Sequence, residues 1–157
     1  MGVVSSELRA PGDVLVHLRR ARDLADRCYA EPLTLEDLAA SANLSKYHFL
    51  RLFKATYGIT PMEYVSQRRI ERAQDLLRAT NLTVTEVCFA VGFSSLGSFS
   101  SRFRALVGES ARQFQQRYAD GAPHIPGCFI FMWGLAERGD AAGRSAIGEK
   151  PAAGTIP

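Results

Sequence analysis

SKYHFLRLFKATYG, Ser45 to Gly58, has two faces of opposite character when read at helical spacing. Phe49, Leu52, Phe53 and Tyr57 recur at i, i+3, i+4 and i+8, while Tyr47, Arg51 and Lys54 line the other side. The first face needs a core to cover it; the second is cationic with an aromatic among its charges. Ser45 suits an N-cap and Gly58 suits a left-handed stop just past the last turn, so both helix ends are marked. A short capped helix of this kind has the dimensions of an element that enters a DNA groove. Taken alone, such a face is more often simply solvated, so the flanks decide.

Toward the N-terminus, Thr34 opens a short helix, Leu35 to Ser41, with Asp37 three residues on in a weak capping box. Asn43, which tolerates left-handed backbone, lies in a turn too short to be a free loop. Helix, tight turn and helix together spell a helix-turn-helix. Further back, Asp13 to about Ala30 reads as a first scaffold helix that Pro32 ends. Val14, Leu18, Ala21, Ala25 and Cys28 form its apolar stripe, and Arg19, Arg20, Asp23, Asp26 and Arg27 its outer face. Residues 1–12 read as a flexible N-terminus without a basic-then-apolar secretory pattern. Gly2 and Ser6 fit the loose myristoylation spacing, but nothing polybasic supports it.

Toward the C-terminus, Thr60 as N-cap, Pro61 at the first helical position and Glu63 at the third open a long helix, 61–79. Tyr64, Ile70, Ala73, Leu76 and Leu77 give it apolar contacts for both flanking segments. The earlier arrangement then returns. LTLEDLAASANL (33–44) aligns with LTVTEVCFAVGF (82–93) at an offset of 49, placing Asn43 against Gly92. At an offset of 50, Phe49 meets Phe99, Phe53 meets Phe103, Lys54 meets Arg104, Gly58 meets Gly108, Thr60 meets Ser110 and Tyr64 meets Phe114. A repeat of this period is a duplicated structural unit. Thr83 with Glu86 and Ser110 with Gln113 are capping boxes at the corresponding helix starts. Two groove-sized helices on a rigid connector could address successive major grooves, roughly 34 Å apart along one face of B-DNA.

Composition permits that reading without demanding it. The chain has 157 residues and a net charge of +3. The charges after Gly121 cancel, so the surplus lies in the first 120 residues, a mild basic balance. All but three of its 19 basic residues are arginine, which suits bidentate contacts with phosphate or guanine. Cys28, Cys88 and Cys128 are scattered and odd in number, which speaks against a disulfide framework or zinc site and for reduced thiols in a cytoplasmic protein. Cys88, aligned with Ala39, reads as a small buried thiol. His17 and His124 have no partners at ligand or catalytic spacing. The Ser-rich stretch SSLGSFSS lacks an elbow motif, and no paired acid, base or nucleophile constellation points to an enzyme.

LEDLA, LSKYHFLRLFKATYGITPMEYV, RRIERAQDLL and VCFAVGFSS, followed by Phe99, Phe103 and Gly108, carry a resemblance to the DNA-binding module of the AraC/XylS family of bacterial transcription regulators over about residues 13–118. The resemblance implies an all-α fold of about seven helices: two homeodomain-like helix-turn-helix units, about 34–58 and 83–108, the connecting helix 61–79 and a final helix 111–118. It further implies two recognition helices in adjacent major grooves, bending of the DNA, and activation through contact with RNA polymerase. Carried over by position, base contacts in the first unit fall to Tyr47, Leu50 and Arg51, with Lys46, His48 and Lys54 near phosphates. Arg51 is the expected direct reader, because its fork can engage guanine O6 and N7 together.

The second unit departs from the family pattern. Its groove-facing positions are Leu96, Gly97, Ser98 and Ser101, and serine stands at 101 where the family commonly has arginine. Arg102 follows one residue later, rotated about a quarter turn around the helix, and is counted with them among the expected DNA contacts. The first unit is therefore expected to dominate sequence readout, while the second anchors through Arg104 and helix N-terminal amides. Ala111 also replaces the proline expected opposite Pro61, with Ser110 keeping the cap.

Residues 119–157 form a Gly/Ala/Pro-rich tail holding one apolar run, IPGCFIFMWGL at 125–135. The run is about half the length of a membrane span. Packing onto the helical body, self-association and a protein partner are its open fates. A separate effector domain is not expected within these 157 residues, unless they are a piece of a longer protein. The expected protein is a cytoplasmic, nucleoid-associated regulator with no cofactor, no catalytic activity and no membrane segment. Its partner is double-stranded DNA, which it can bind as a monomer. The rival expectation is a helical interaction module or anti-activator that keeps the fold and has lost DNA readout.

Overall fold

The computed structural model describes residues 11–119, which form seven helices and no strand. They are α1 (Pro11–Arg27), α2 (Leu35–Ser41), α3 (Lys46–Tyr57), α4 (Pro61–Ala79), α5 (Val84–Ala90), α6 (Leu96–Val107) and α7 (Ala111–Tyr118). The N-terminal residues 1–10 and the apolar run 125–135, with His124 and Cys128, lie outside the described residues.

Punctuation in the sequence sets most of these boundaries. Thr60 with Glu63, Thr83 with Glu86 and Ser110 with Gln113 form reciprocal capping boxes at the starts of α4, α5 and α7. Thr34 with Asp37 forms a complete box rather than the weak one expected. In each box the two residues satisfy amide donors that the first turn leaves free. Ser45 departs from expectation: it holds the extended backbone of an N-cap, yet its side chain makes no capping hydrogen bond. Its counterpart Ser95 does cap, its hydroxyl accepting from the Ser98 amide at 3.2 Å. Gly58 and Gly108 stop α3 and α6 in the left-handed region, at φ 77° and 90°.

Two hydrophobic cores follow the duplication. The first gathers Leu18, Ala21, Ala25, Leu38, Ala39, Ala42, Phe49, Phe53 and Val65, with Leu52, Tyr57 and Tyr64 packed against it. The second gathers Ile70, Ala73, Leu76, Leu77, Leu82, Val87, Cys88, Val91, Phe99, Phe103, Ala111 and Phe114. Equivalent aromatics serve equivalent roles, with Phe49 and Phe53 in ring contact at 5.5 Å and Phe99 and Phe103 at 5.6 Å. The α4 helix divides between them, giving Val65 to the first core and its C-terminal half to the second. Ala111 is buried as Pro61 is, and the Ser110 cap makes proline dispensable there. Cys88 has no exposed surface, and burial pushes its thiol pKa up, as suits a packed, unreactive sulfur.

The end of α1 differs from the expected position at about Ala30. The helix stops at Arg27, five residues before Pro32, so proline is not what ends it. Beyond Arg27 the chain runs against α4, where Arg69 Nε donates to Tyr29 O at 2.6 Å and Nη2 to Glu31 O at 2.8 Å. A second polar cluster ties α1 to α4 nearby. Tyr64 Oη donates to Asp26 Oδ1 at 2.9 Å, Arg68 pairs with the same carboxylate at 2.8 Å, and the Arg22 guanidinium lies 5.1 Å from the Tyr57 ring and 5.6 Å from that of Tyr64. Burial is the main cause that raises the Tyr64 phenol pKa. Each unit thus presents a second helix whose inner face is locked by two phenylalanines and whose outer face is free to meet a ligand.

Candidate nucleic-acid interface

On α3 the burial of Phe49 and Phe53 fixes the rotation of the helix about its own axis, and this leaves Tyr47, Arg51 and Lys54 exposed together. Tyr47 is 80% exposed, an unusual setting for a large aromatic. Arg51 is exposed and forms no ion pair or hydrogen bond with any described residue. Its guanidinium therefore needs no intramolecular bond broken before it engages a ligand. His48 is exposed in the first turn, whereas Leu50 is half-buried and offers only one edge of its side chain.

Lys46 is placed differently from the other cations. Its ammonium pairs with the Glu36 carboxylate on α2, across the turn of the helix-turn-helix. The hydrogen bond between the two is the main cause that lowers the Glu36 pKa and raises that of Lys46. The pair braces α2 against α3 in the free protein, so a phosphate would have to compete with Glu36 for this lysine. Lys54, in the last turn, retains an exposed ammonium and adds to the positive potential that helps hold the Glu63 carboxyl low; the hydrogen bonds from Thr60 are the larger cause.

On α6 the burial of Phe99 and Phe103 orients the helix in the same way, but the outward chemistry is different. Leu96, Gly97, Ser98, Ser101 and Arg104 are all exposed. A Cβ added at Gly97 would meet nothing within 4 Å beyond its own helix backbone. Ser98 is partly committed, its hydroxyl accepting from that of Ser95 at 2.9 Å. Ser100, one position that the sequence reading passed over, is exposed on the helix as well. Arg102, expected among the DNA contacts, turns toward the connecting helix instead: it is half-buried, and its Nε donates to Ser66 Oγ of α4 at 3.0 Å. That bond joins α6 to the connecting helix, which makes Arg102 a brace. Arg104 is left as the exposed cation of this helix.

Other contacts were invisible to spacing alone. Arg69 and Gly92 meet the segment that follows α1, at Tyr29, Ala30 and Glu31. In sequence Arg69 is one basic residue of an Arg-Arg pair on an amphipathic helix, and nothing there distinguishes it from a solvated charge.

This duplicated arrangement, with a second helix in each unit held by its inner face and exposed on its outer one, defines a tandem helix-turn-helix DNA-binding module. Residues 38–117 match a family described as a helix-turn-helix domain, and the chain belongs to the AraC/XylS family of transcription regulators. It is 39% identical over 89 residues to the MmsAB operon regulatory protein of Pseudomonas aeruginosa, covering 57% of this chain and 29% of that protein. Among solved structures, an AraC-type regulator from Chromobacterium violaceum superposes with a TM-score of 0.63 at 30% identity, over 69% of this chain and 96% of that one. The DNA-binding domain of AdpA in complex with a target DNA matches with a TM-score of 0.61 at 30% identity, over 64% of this chain and 91% of that domain. The chain spans 29–43% of the length of three curated relatives that it matches.

Proposed function

We propose that the chain is a sequence-specific DNA-binding regulator that lays α3 and α6 in successive major grooves, with α3 reading bases and α6 anchoring. The observation that carries this reading is the outer face of α3, where Tyr47, Arg51 and Lys54 are exposed together on a helix whose rotation is fixed by Phe49 and Phe53. Arginine can take guanine through two hydrogen bonds, an aromatic can pack on sugar or a thymine methyl, and the lysine neutralises phosphate. The α6 face has no comparable fork among Leu96, Gly97, Ser98 and Ser101. It supplies hydroxyl and van der Waals contacts, with Arg104 on the backbone. Arg102 takes no part in this reading because it braces α6 against Ser66. Activation through a contact with RNA polymerase belongs to the same reading, and transcription from a bound promoter in a purified system tests it.

The experiment for DNA binding is a titration of duplex at several salt concentrations. A regulator loses log K in proportion to log salt, with a slope of about −0.9 for each phosphate neutralised. Binding that is absent, or indifferent to salt, would favour a helical interaction module instead, a rival whose one support is the uncharged outer face at the start of α6.

A further inference from the structure

Asn43 and Gly92 hold the same place in the two units, at the turn before each second helix, and both take positive φ, 54° and 92°. Left-handed backbone alone does not account for the glycine, since asparagine serves in the first unit. The neighbourhood differs. A Cβ on Gly92 would lie 2.5 Å from the carbonyl oxygen of Ala30 and 2.8 Å from its Cα and carbonyl carbon. Those are backbone atoms, which cannot swing aside as a side chain can, so only glycine admits this approach.

Ala30 follows α1, whose Leu18, Ala21 and Ala25 lie in the first core, and its neighbours are bound to the second unit and to α4. Tyr29 packs against the second core, as Phe93 does. Arg69 donates to the carbonyls of Tyr29 and Glu31, on either side of Ala30, while its guanidinium lies 5.8 Å from the Phe93 ring. Arg69 is half-buried, and burial pushes its pKa down, a cost offset by two carbonyl acceptors and an aromatic face. Beyond α4, which packs into both cores, the two units share little, so their relative orientation would otherwise rest on the resistance of that one helix to bending and twisting. A second attachment lying off its axis opposes both.

We propose that residues 29–31, Arg69 and Gly92 form a positioning junction that fixes the orientation of α3 relative to α6, and through it the half-site spacing that the protein accepts. The second clause rests on the function proposed above; the first does not.

Residual dipolar couplings of the 15N-labelled full chain test the orientation directly. The parent is expected to fit one alignment tensor across both units. Gly92→Asn keeps a residue suited to left-handed backbone but drives its Cβ into Ala30, and Arg69→Met removes both donors. Each variant is expected to keep helical spectra while its two units need separate tensors; Asn43→Gly, the control, keeps one. On duplexes whose half-site separation is varied by one to three base pairs, the parent's preference for its best spacing should fall in both variants by about 5- to 150-fold, the usual span of coupling between two sites. A single tensor retained in both variants overturns the junction. So does an unfolded second unit in both, which would make these contacts part of the core, and an unchanged spacing preference overturns the link to half-sites. A parent that binds no duplex refutes the proposed function, and the tensor result still decides the junction.

Discussion

Replacing Arg51 with alanine separates reading from anchoring. Arg51 is exposed on α3 and has no partner among the described residues, so its removal leaves no buried charge unpaired and no internal bond broken. Arginine and alanine differ by only a few tenths of a kcal/mol in helix propensity, so folding is expected to change little. The loss then falls on the complex. A bidentate contact with guanine is worth about 1–3 kcal/mol of discrimination, or roughly 5- to 150-fold in affinity. The assay is fluorescence anisotropy against a set of operator duplexes, each altered at one base pair. Arg51→Ala should bind the preferred duplex more weakly by that factor and should treat all four bases alike at one position. Ser101→Ala, at the equivalent place on α6, deletes at most one neutral hydrogen bond of about 0.5–1.5 kcal/mol and should cost roughly 2- to 13-fold. An Arg51→Ala loss that is uniform across every duplex would make Arg51 a phosphate contact. Equal penalties from base changes under the two half-sites would refute the asymmetry between the helices.

Three further outcomes follow from packing and capping. Gly97→Ala should stabilise the protein by about 0.4–1 kcal/mol in urea unfolding, because the position is helical and an added Cβ meets nothing within 4 Å; a loss of stability would contradict the open surroundings of that position. Phe103→Ala should cost about 3–5 kcal/mol by the same measurement, since its fully buried ring lies 5.6 Å from those of both Phe99 and Phe114. Acid should loosen particular helix starts: hydrogen bonds from Thr34, Thr60 and Thr83 hold the carboxyl pKa values of Asp37, Glu63 and Glu86 below their ordinary values. A depressed folded-state pKa contributes stability that is complete above the unfolded value, near 4, and is lost as pH falls through the folded one. Amide exchange at the starts of α2, α4 and α5 should therefore gain relative to the start of α7 below about pH 4, because Gln113 caps α7 without titrating. Uniform acceleration at all four would sink that assignment.

Most of the fold was legible because this sequence marks its helix ends with side chains that act locally. Thr60 with Pro61 and Glu63, or Gly58 and Gly108, state their role within one turn of chain, and the repeat supplies each statement twice. What spacing could not show depends on partners far away in sequence. The helix α1 ends at Arg27 rather than near Ala30, and the carbonyls of Tyr29 and Glu31 beyond it accept from Arg69, 40 and 38 residues on. Gly92 was legible as the turn residue aligned with Asn43, but its nearness to Ala30 was not. The candidate interface divides in the same way. Tyr47, Arg51 and Lys54 share a face by helical periodicity, which the sequence displays. That Lys46 is held by Glu36, and Arg102 by Ser66, follows from how neighbouring helices lie against α3 and α6.

The central claim is that two reading helices on one chain meet successive major grooves. Hydroxyl-radical footprinting on a site recovered from genomic fragments tests it most directly. Two protected patches on one face of the duplex, about one helical turn apart, are predicted, with the deeper sequence dependence under the patch assigned to α3. A single patch, or protection that follows no sequence, would contradict it.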